Sequence, residues 1–222
     1  MGYTKVNLPN GLFLAGANFK KVNTPSESIK FSELVSGNFQ NGDQVQFFNP
    51  EHGNYTTLYY VVGNLIDIDN MLFGQTGWGT ITNFKDDFDI KPGTGFWIKS
   101  NSALTDQYQA GEVVASDSSF VSVPAGYTMV ANKYPMDYYV SELLFDGIAN
   151  GDQVQFFDPE LGGYTTLYYV VGNLIDIENM LFGQTGWGTI TNFKADQLIA
   201  PGTGFWLNAK NPIEIEFPAP EL

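Results

Sequence analysis

The sequence predicts an all-β protein made of two tandem, homologous antiparallel β-sandwich or flattened-barrel domains, each with one short helical turn. The 222 residues are rich in turn formers and in side chains that suit pleated sheets, with 24 glycines, 11 prolines, 18 phenylalanines and 12 tyrosines. A shift of 109 residues places Asn41–Ser100 on Asn150–Ala209, and about 49 of the 60 aligned positions are identical. We therefore expect two domains, at residues 1–113 and 114–222.

Alternating side chains predict the first strong strand of each copy. In "DQVQFF", Val45 and Phe47 fall on one face, as in a strand that packs against a core. Gln44 and Gln46 fall on the opposite face. The Asn-Pro pair and the glycine within Asn49–Asn54 predict a hairpin loop. The next run, "YTTLYYVV", is apolar on both faces, so we expect both faces to be covered.

A Pro-Gly pair near the end of each copy predicts a type II turn and then a further strand. In "KPGTGFWIKS", Phe96 and Ile98 would point into the core, and Trp97 would point to the opposite face. We expect Trp97 and its equivalent Trp206 to be core or sheet-covering residues, because large aromatic side chains are mostly buried. Helix is indicated for about one turn only, in "SESIKFSELV" and "YYVSELL".

The charge balance argues against several classes of partner. Ten lysines and arginines stand against 24 aspartates and glutamates, which gives a net charge of −14. Nucleic acids and anionic membranes are bound through clustered basic residues, so neither is expected as a partner. The chain has no cysteine, and hence no disulfide framework and no thiolate metal site. It has no run of about 18 apolar residues, so membrane insertion is not expected.

Four short motifs follow one another in the second copy, at Ala125–Pro135, Val154–Tyr169, Gly186–Trp187 and Ala200–Leu207. In this order, "AGYTMVANKYP", "VQFFDPELGGYTTLYY", Gly-Trp and "APGTGFWL" resemble a loosely defined class of repeat β-domains in secreted bacterial surface and extracellular proteins. The resemblance implies a non-catalytic extracellular or cell-surface module and names no ligand. The chain departs from that class at Thr94 and Thr203, where an acidic residue is common. Export would need a leader outside this numbering, because "MGYTKVNLPNG" lacks the features of a signal peptide.

The sequence does not predict an enzyme. The single histidine, His52, lies in a hairpin loop and is replaced by Leu161 in the other copy, so it is not part of a duplicated triad. A glycosidase would need two carboxylates that face each other across a sugar, and we rank this function last. The duplicated carboxylates are expected to be solvated loop and turn acids. They are Asp43 and Asp152, Glu51 and Glu160, Asp67 and Asp176, Asp69 and Glu178, and Asp87 and Asp196.

No cofactor is expected, and calcium is the metal that these residues would suit best. Two acids and an amide lie close together in "DIDN" and "DIEN", and their oxygens are the hard ligands that calcium prefers. The alternating isoleucines instead favour a strand with its acids on the wet face, and no EF-hand spacing is present. The calcium candidates are Asp67, Asp69, Asp176 and Glu178.

One apolar segment recurs without a single change, at Asn70–Phe84 and Asn179–Phe193. Packing alone tolerates swaps among apolar residues and would not fix the polar positions of such a segment. Exposed apolar patches usually mark association, so we predict that these segments bind other copies of the chain. The expected contact residues are Met71, Leu72, Phe73 and Trp78, with their equivalents Met180, Leu181, Phe182 and Trp187. A recent duplication would also give this identity, although the first forty residues of the two copies have diverged.

The first-choice function is therefore a non-enzymatic structural protein that self-associates into an extracellular filament, sheath or surface layer. Two homologous domains with complementary faces could continue head to tail, and the terminal segment Ile213–Leu222 could pair with the sheet edge of a neighbour. The net charge opposes stacking, so assembly should strengthen with added salt or calcium. The alternative is a monomeric glycan-binding module with one aromatic platform per repeat.

Overall fold

The computed structural model describes residues 2–24, 27–63, 76–80, 87–114, 120–172, 185–192 and 195–220. Within these ranges the chain folds into several antiparallel sheets with only single turns of helix, which confirms the predicted all-β class. None of these residues belongs to a helix that is long and apolar enough to cross a membrane. Residues up to 113 are called the first half below, and those from 114 the second half. The homology of the two halves as domains stays a prediction from the sequence.

The strands of the first half are short, and its one described helical turn is where the sequence predicts it. In chain order the elements are β1 (Gly2–Leu8), β2 (Gly11–Gly16), β3 (Ile29–Lys30), α1 (Phe31–Leu34), β4 (Val35–Ser36), β5 (Gln44–Asn49), β6 (Asn54–Val61), β7 (Gly77–Gly79), β8 (Asp89–Ile90), β9 (Gly95–Ser100) and β10 (Leu104–Gly111).

The second half follows the same order of elements, with a 3₁₀ turn at Val140–Glu142 in place of α1. Its strands are β11 (Phe120–Val123), β12 (Gly126–Ala131), β13 (Tyr138–Tyr139), β14 (Leu144–Asp146), β15 (Gln153–Asp158), β16 (Gly163–Val170), β17 (Gly186–Gly188), β18 (Leu198–Ile199), β19 (Gly204–Ala209) and β20 (Ile213–Glu216).

Each half contains a five-stranded antiparallel sheet. The strand order is β2-β9-β5-β6-β7 in the first half and β12-β19-β15-β16-β17 in the second. The predicted hairpin loop joins β5 to β6, and Gly53 in this loop has a φ of 62°, which favours glycine. A three-stranded sheet, β1-β10-β4 or β11-β20-β14, and a two-stranded pair, β3-β8 or β13-β18, complete the two halves.

Each half has its own apolar core on one face of its five-stranded sheet. Residues between 8 and 104 form one buried cluster, and residues between 114 and 217 form another. Val45 and Phe47 are 0% and 2% exposed, whereas Gln44 and Gln46 are only partly buried, which confirms the alternation predicted for this strand. The opposite face of each five-stranded sheet does not contact that core.

The last strand of the chain lies inside its own half. Strand β20 is the central strand of its sheet and pairs with β11 along one edge and with β14 along the other. Within one molecule both edges of Ile213–Glu216 are therefore hydrogen-bonded, and exchange of this strand between molecules stays a prediction from the sequence.

Candidate binding site at the junction of the two halves

A third, smaller apolar cluster joins the outer faces of the two large sheets. Leu14 and Trp97 come from the first half, and Met129 and Trp206 come from the second. The two indoles are only 6% and 8% exposed, although they point away from the cores of their own halves. Trp97 and Trp206 are therefore sheet-covering residues, as predicted, and what covers each is the other half of the chain.

The junction is built from equivalent contacts made twice. The ring of Trp97 meets Phe157 edge to face, with 4.9 Å between centroids and 85° between planes. The ring of Trp206 meets Phe48 in the same way, at 5.0 Å and 76°. The shift of 109 residues turns Trp97 into Trp206 and Phe48 into Phe157, so each half presents the same surface to the other. An interface of this kind is isologous and has pseudo-two-fold symmetry.

Backbone contacts at the junction repeat the same symmetry. Ala15 and Thr203 form one antiparallel bridge, and Thr94 and Val130 form its equivalent. Two glycines permit this close approach. A Cβ atom on Gly204 would lie 2.4 Å from the carbonyl oxygen of Ala15, and one on Gly95 would lie 2.7 Å from that of Val130. These distances are shorter than carbon–oxygen contacts allow, so any side chain would push the halves apart.

The isologous junction differs from the predicted head-to-tail arrangement. A head-to-tail contact joins two different faces and leaves one free at each end, whereas an isologous contact uses one face of each partner and closes on itself. Within the chain, the two halves therefore meet through equivalent faces and not head to tail. An assembly of chains would need surfaces other than this one.

A groove opens at one side of the junction and is lined mainly by aromatic rings. It has a volume of about 330 Å³, and its lining residues are Phe48, Tyr127, Gln155, Tyr164 and Trp206. Four belong to the second half, and Phe48 reaches in from the first. Tyr127 and Tyr164 are 48% and 49% exposed, so their rings are available to a ligand. None of the five lining residues is charged.

The elements of the fold position these side chains. Tyr127 on β12, Trp206 on β19 and Gln155 on β15 lie on adjacent strands of one sheet and share its outer face. The ring of Tyr127 meets Trp206 edge to face at 6.1 Å. The Nε2 of Gln155 donates a hydrogen bond of 3.0 Å to Oε1 of Gln153, which fixes its carboxamide along the strand.

Tyr164 connects the groove to the rest of the junction. Partial burial raises the pKa of its phenol, while a hydrogen bond with the Trp206 side chain acts in the opposite direction. Its ring also packs against Phe157 at 5.4 Å. The hydroxyl therefore stays protonated at neutral pH and is able to donate a hydrogen bond to a ligand.

The two other tryptophans are core residues. Trp78 is 8% exposed, and its ring packs against Phe31, Phe39 and Tyr60 at 5.0, 4.9 and 5.2 Å. Its equivalent, Trp187, is 9% exposed and lies in the second core. The sequence predicts both indoles as self-association contacts. Strands β7 and β17 instead close over the core, so neither indole offers a surface to another chain.

The remaining predicted contact residues lie outside the described residues. They are Met71, Leu72, Phe73, Met180, Leu181 and Phe182. The calcium candidates Asp67, Asp69, Asp176 and Glu178 also lie outside them. In the part of the chain that the structure describes, no group of three or more histidine, cysteine, aspartate or glutamate residues is placed to hold a metal ion.

Two of the carboxylates expected in solvent are buried. Asp43 and Asp152 are both 0% exposed. The carboxylate of Asp43 accepts hydrogen bonds from the backbone N–H groups of Gln40 and Asn101, at 2.7 and 2.9 Å. The expectation of a solvated acid is therefore wrong at these two positions. A short polar side chain between two loops can satisfy backbone donors that would otherwise be orphaned.

The other described acids behave as expected. Asp87 and Asp196 are partly or largely exposed and accept hydrogen bonds from the hydroxyls of Ser32 and Ser141. His52 is exposed in its hairpin loop. Glu51 in the same loop borders a depression of about 670 Å³ that also includes Asp146 and Glu214.

Most of the groove was not predicted from the sequence, although one signal for it was present. Along β5 and β15, the positions on the polar face read Gln44, Gln46 and Phe48, then Gln153, Gln155 and Phe157. A phenylalanine at the end of a polar register marks a place where the outer face is covered.

Comparison with known proteins adds no relative, because no family model, no curated protein and no solved structure matches the chain.

Proposed function

We propose that this protein is a non-enzymatic carbohydrate-binding protein that works outside the cell or at its surface. The observation that carries the proposal is the uncharged groove at the junction, with two half-exposed tyrosines, a tryptophan edge and a glutamine. The resemblance to secreted bacterial β-modules supports the location.

The chemistry of the groove favours a neutral sugar. Aromatic rings offer apolar faces to the C–H groups of a pyranose, and a few polar groups then fix its orientation. The carboxamide of Gln155 and the hydroxyls of Tyr127 and Tyr164 supply donors and acceptors for sugar hydroxyls. A net charge of −14 on the chain disfavours acidic polysaccharides.

The same lining supports binding without catalysis. Glycoside hydrolysis uses a pair of carboxyl groups placed on either side of the scissile bond. No aspartate or glutamate is among the residues that line the groove. The depression beside Glu51, Asp146 and Glu214 has acids but no aromatic ring in its lining, so it lacks a surface for stacking a sugar.

Affinity electrophoresis of the full chain through gels that contain soluble cellulose, mannan, xylan or glycol chitin tests the proposal. We expect at least one neutral polysaccharide to retard the protein, and Tyr127→Ala to remove most of that retardation. Tyr3→Ala is the matched control, because Tyr3 is 73% exposed and lies on β1, away from the groove. Unretarded migration of the wild type through every gel would contradict the proposal.

Self-association is the second candidate function, and the identity of Asn70–Phe84 with Asn179–Phe193 is the observation that favours it. Because Trp78 and Trp187 are core residues, the apolar positions beside them carry the proposed contacts: Met71, Leu72, Phe73, Met180, Leu181 and Phe182. Sedimentation velocity over a concentration series, with and without calcium or added salt, tests this candidate. A single monomeric species under all conditions would reject it.

A further inference from the structure

The residues that line the groove have equivalents on the other side of the pseudo-two-fold axis. The residues equivalent to its lining are Phe157, Leu12, Gln46, Tyr55 and Trp97. Leu12 pairs with Lys99 as Tyr127 pairs with Asn208, and Gln46 pairs with Trp97 as Gln155 pairs with Trp206. Tyr55 is 46% exposed, close to the 49% of Tyr164.

The two sets of aromatic rings are in contact with each other. Tyr55 packs on Phe48 at 5.3 Å, and Phe48 in turn packs on Trp206 of the groove. On the other side, Tyr164 packs on Phe157, which meets Trp97 at 4.9 Å. Phe48 and Phe157 therefore each serve both sets, and the rings form one continuous surface across the junction.

Tyr55 and Tyr164 lie where the two sets meet. Tyr55 contacts Phe48, and Tyr164 contacts Phe157, so each tyrosine touches one of the two linking phenylalanines. Each belongs to the hairpin strand of its own half, at equivalent positions of β6 and β16. Each half therefore contributes one half-exposed tyrosine to the ring contacts that cross the junction.

We propose, on the basis of the carbohydrate-binding function above, that this continuous surface binds one linear, neutral glycan chain that spans both halves. An isolated monosaccharide or a branched terminal sugar would fill only one side. A linear chain can use both sides at once, so the second side acts at a high effective concentration once the first is occupied.

The two sides are not identical, and this gives the bound chain a preferred side. Tyr127 offers a ring and a hydroxyl, whereas its equivalent, Leu12, offers a smaller apolar side chain that is 41% exposed. Short oligosaccharides should therefore occupy the side of Tyr127 first. Longer ones should extend past Tyr164 to Tyr55 and the side of Leu12.

Isothermal titration of the full chain with cello-, manno-, xylo- and chito-oligosaccharides, from disaccharide to octasaccharide, tests the inference. We expect the affinity to rise with chain length by about tenfold or more before it levels off. Tyr55→Ala should remove that gain, and Tyr127→Ala should weaken binding at every length. Tyr3→Ala should match the wild type.

The outcomes separate the two proposals. If disaccharides bind as tightly as octasaccharides and Tyr55→Ala has no effect, the spanning mode is wrong, while binding at the groove stands. If no oligosaccharide in the series binds, both proposals fall. Circular dichroism and thermal unfolding of each variant show whether a loss of binding reflects a loss of fold, and Tyr55→Phe, which keeps the ring, should then retain the gain with length.

Discussion

Replacement of Gly204 by alanine should destabilise the protein by forcing the two halves apart. The added Cβ would lie 2.4 Å from the carbonyl oxygen of Ala15, 3.1 Å from its carbonyl carbon and 3.2 Å from Cγ of Leu14. The nearest two atoms belong to the backbone, so a rotamer change cannot relieve the clash. Overpacking of a tight contact costs about 1–3 kcal/mol. Alanine would regain about 0.5–1 kcal/mol of that, since glycine loses more conformational entropy in a strand.

Urea unfolding followed by tryptophan fluorescence measures this cost, because Trp97 and Trp206 both lie in the junction. Gly163→Ala is the control, since a Cβ there meets nothing within 4 Å. Gly95→Ala should resemble Gly204→Ala, because its Cβ would lie 2.7 Å from the carbonyl oxygen of Val130. Equal stability of Gly204→Ala and Gly163→Ala would refute the close approach of the halves.

Three further predictions concern buried polar groups. Asp152→Ala should lower the free energy of unfolding by about 1–3 kcal/mol in urea titrations. The carboxylate of Asp152 accepts hydrogen bonds from the backbone N–H groups of Ala149 and Lys210, and the substitution leaves both donors unpaired. Burial raises the pKa of Tyr138 from 10.0 to about 12, so the folded protein favours the neutral phenol. The stabilisation that results from this shift is complete below pH 10.0 and is lost as the pH rises through about 12. Tyr138→Phe, which also loses the hydrogen bond to the Pro218 carbonyl, should flatten this alkaline loss in unfolding curves measured across that range. Burial lowers the pKa of Lys133 from 10.5, so the folded protein favours the neutral amine. The stabilisation that results from this shift is present above pH 10.5 and is lost as the pH falls through the lowered value. The stability of the wild type relative to Lys133→Met should therefore rise between pH 7 and pH 10.5, and a constant difference in urea titrations would contradict this.

Local patterns in the sequence predicted much of each sheet. Alternation placed Val45 and Phe47 in the core, and the Pro-Gly pair predicted the turn before β9, where Gly93 has a φ of 90°. The direction of Trp97 also followed from its place between two core residues. These features depend on neighbours within one strand or one turn, and a single sequence carries that information.

The candidate site depends on which outer faces meet, and this is not a local property. Nothing within β2 or β12 indicates that Leu14 and Met129 belong to one apolar cluster, or that Phe48 of one half reaches Trp206 of the other. Trp78 was predicted as a contact to other chains for the same reason, because the sequence does not show that β7 pairs with β6 and that the ring lies in the core.

An NMR titration of the four indole N–H groups in the full chain with a neutral oligosaccharide series tests for a carbohydrate site between the two halves. Binding at the junction predicts that the signals of Trp97 and Trp206 shift with saturation, while those of Trp78 and Trp187 in the cores do not. Absence of any shift, or shifts confined to Trp78 and Trp187, would contradict a carbohydrate site between the two halves.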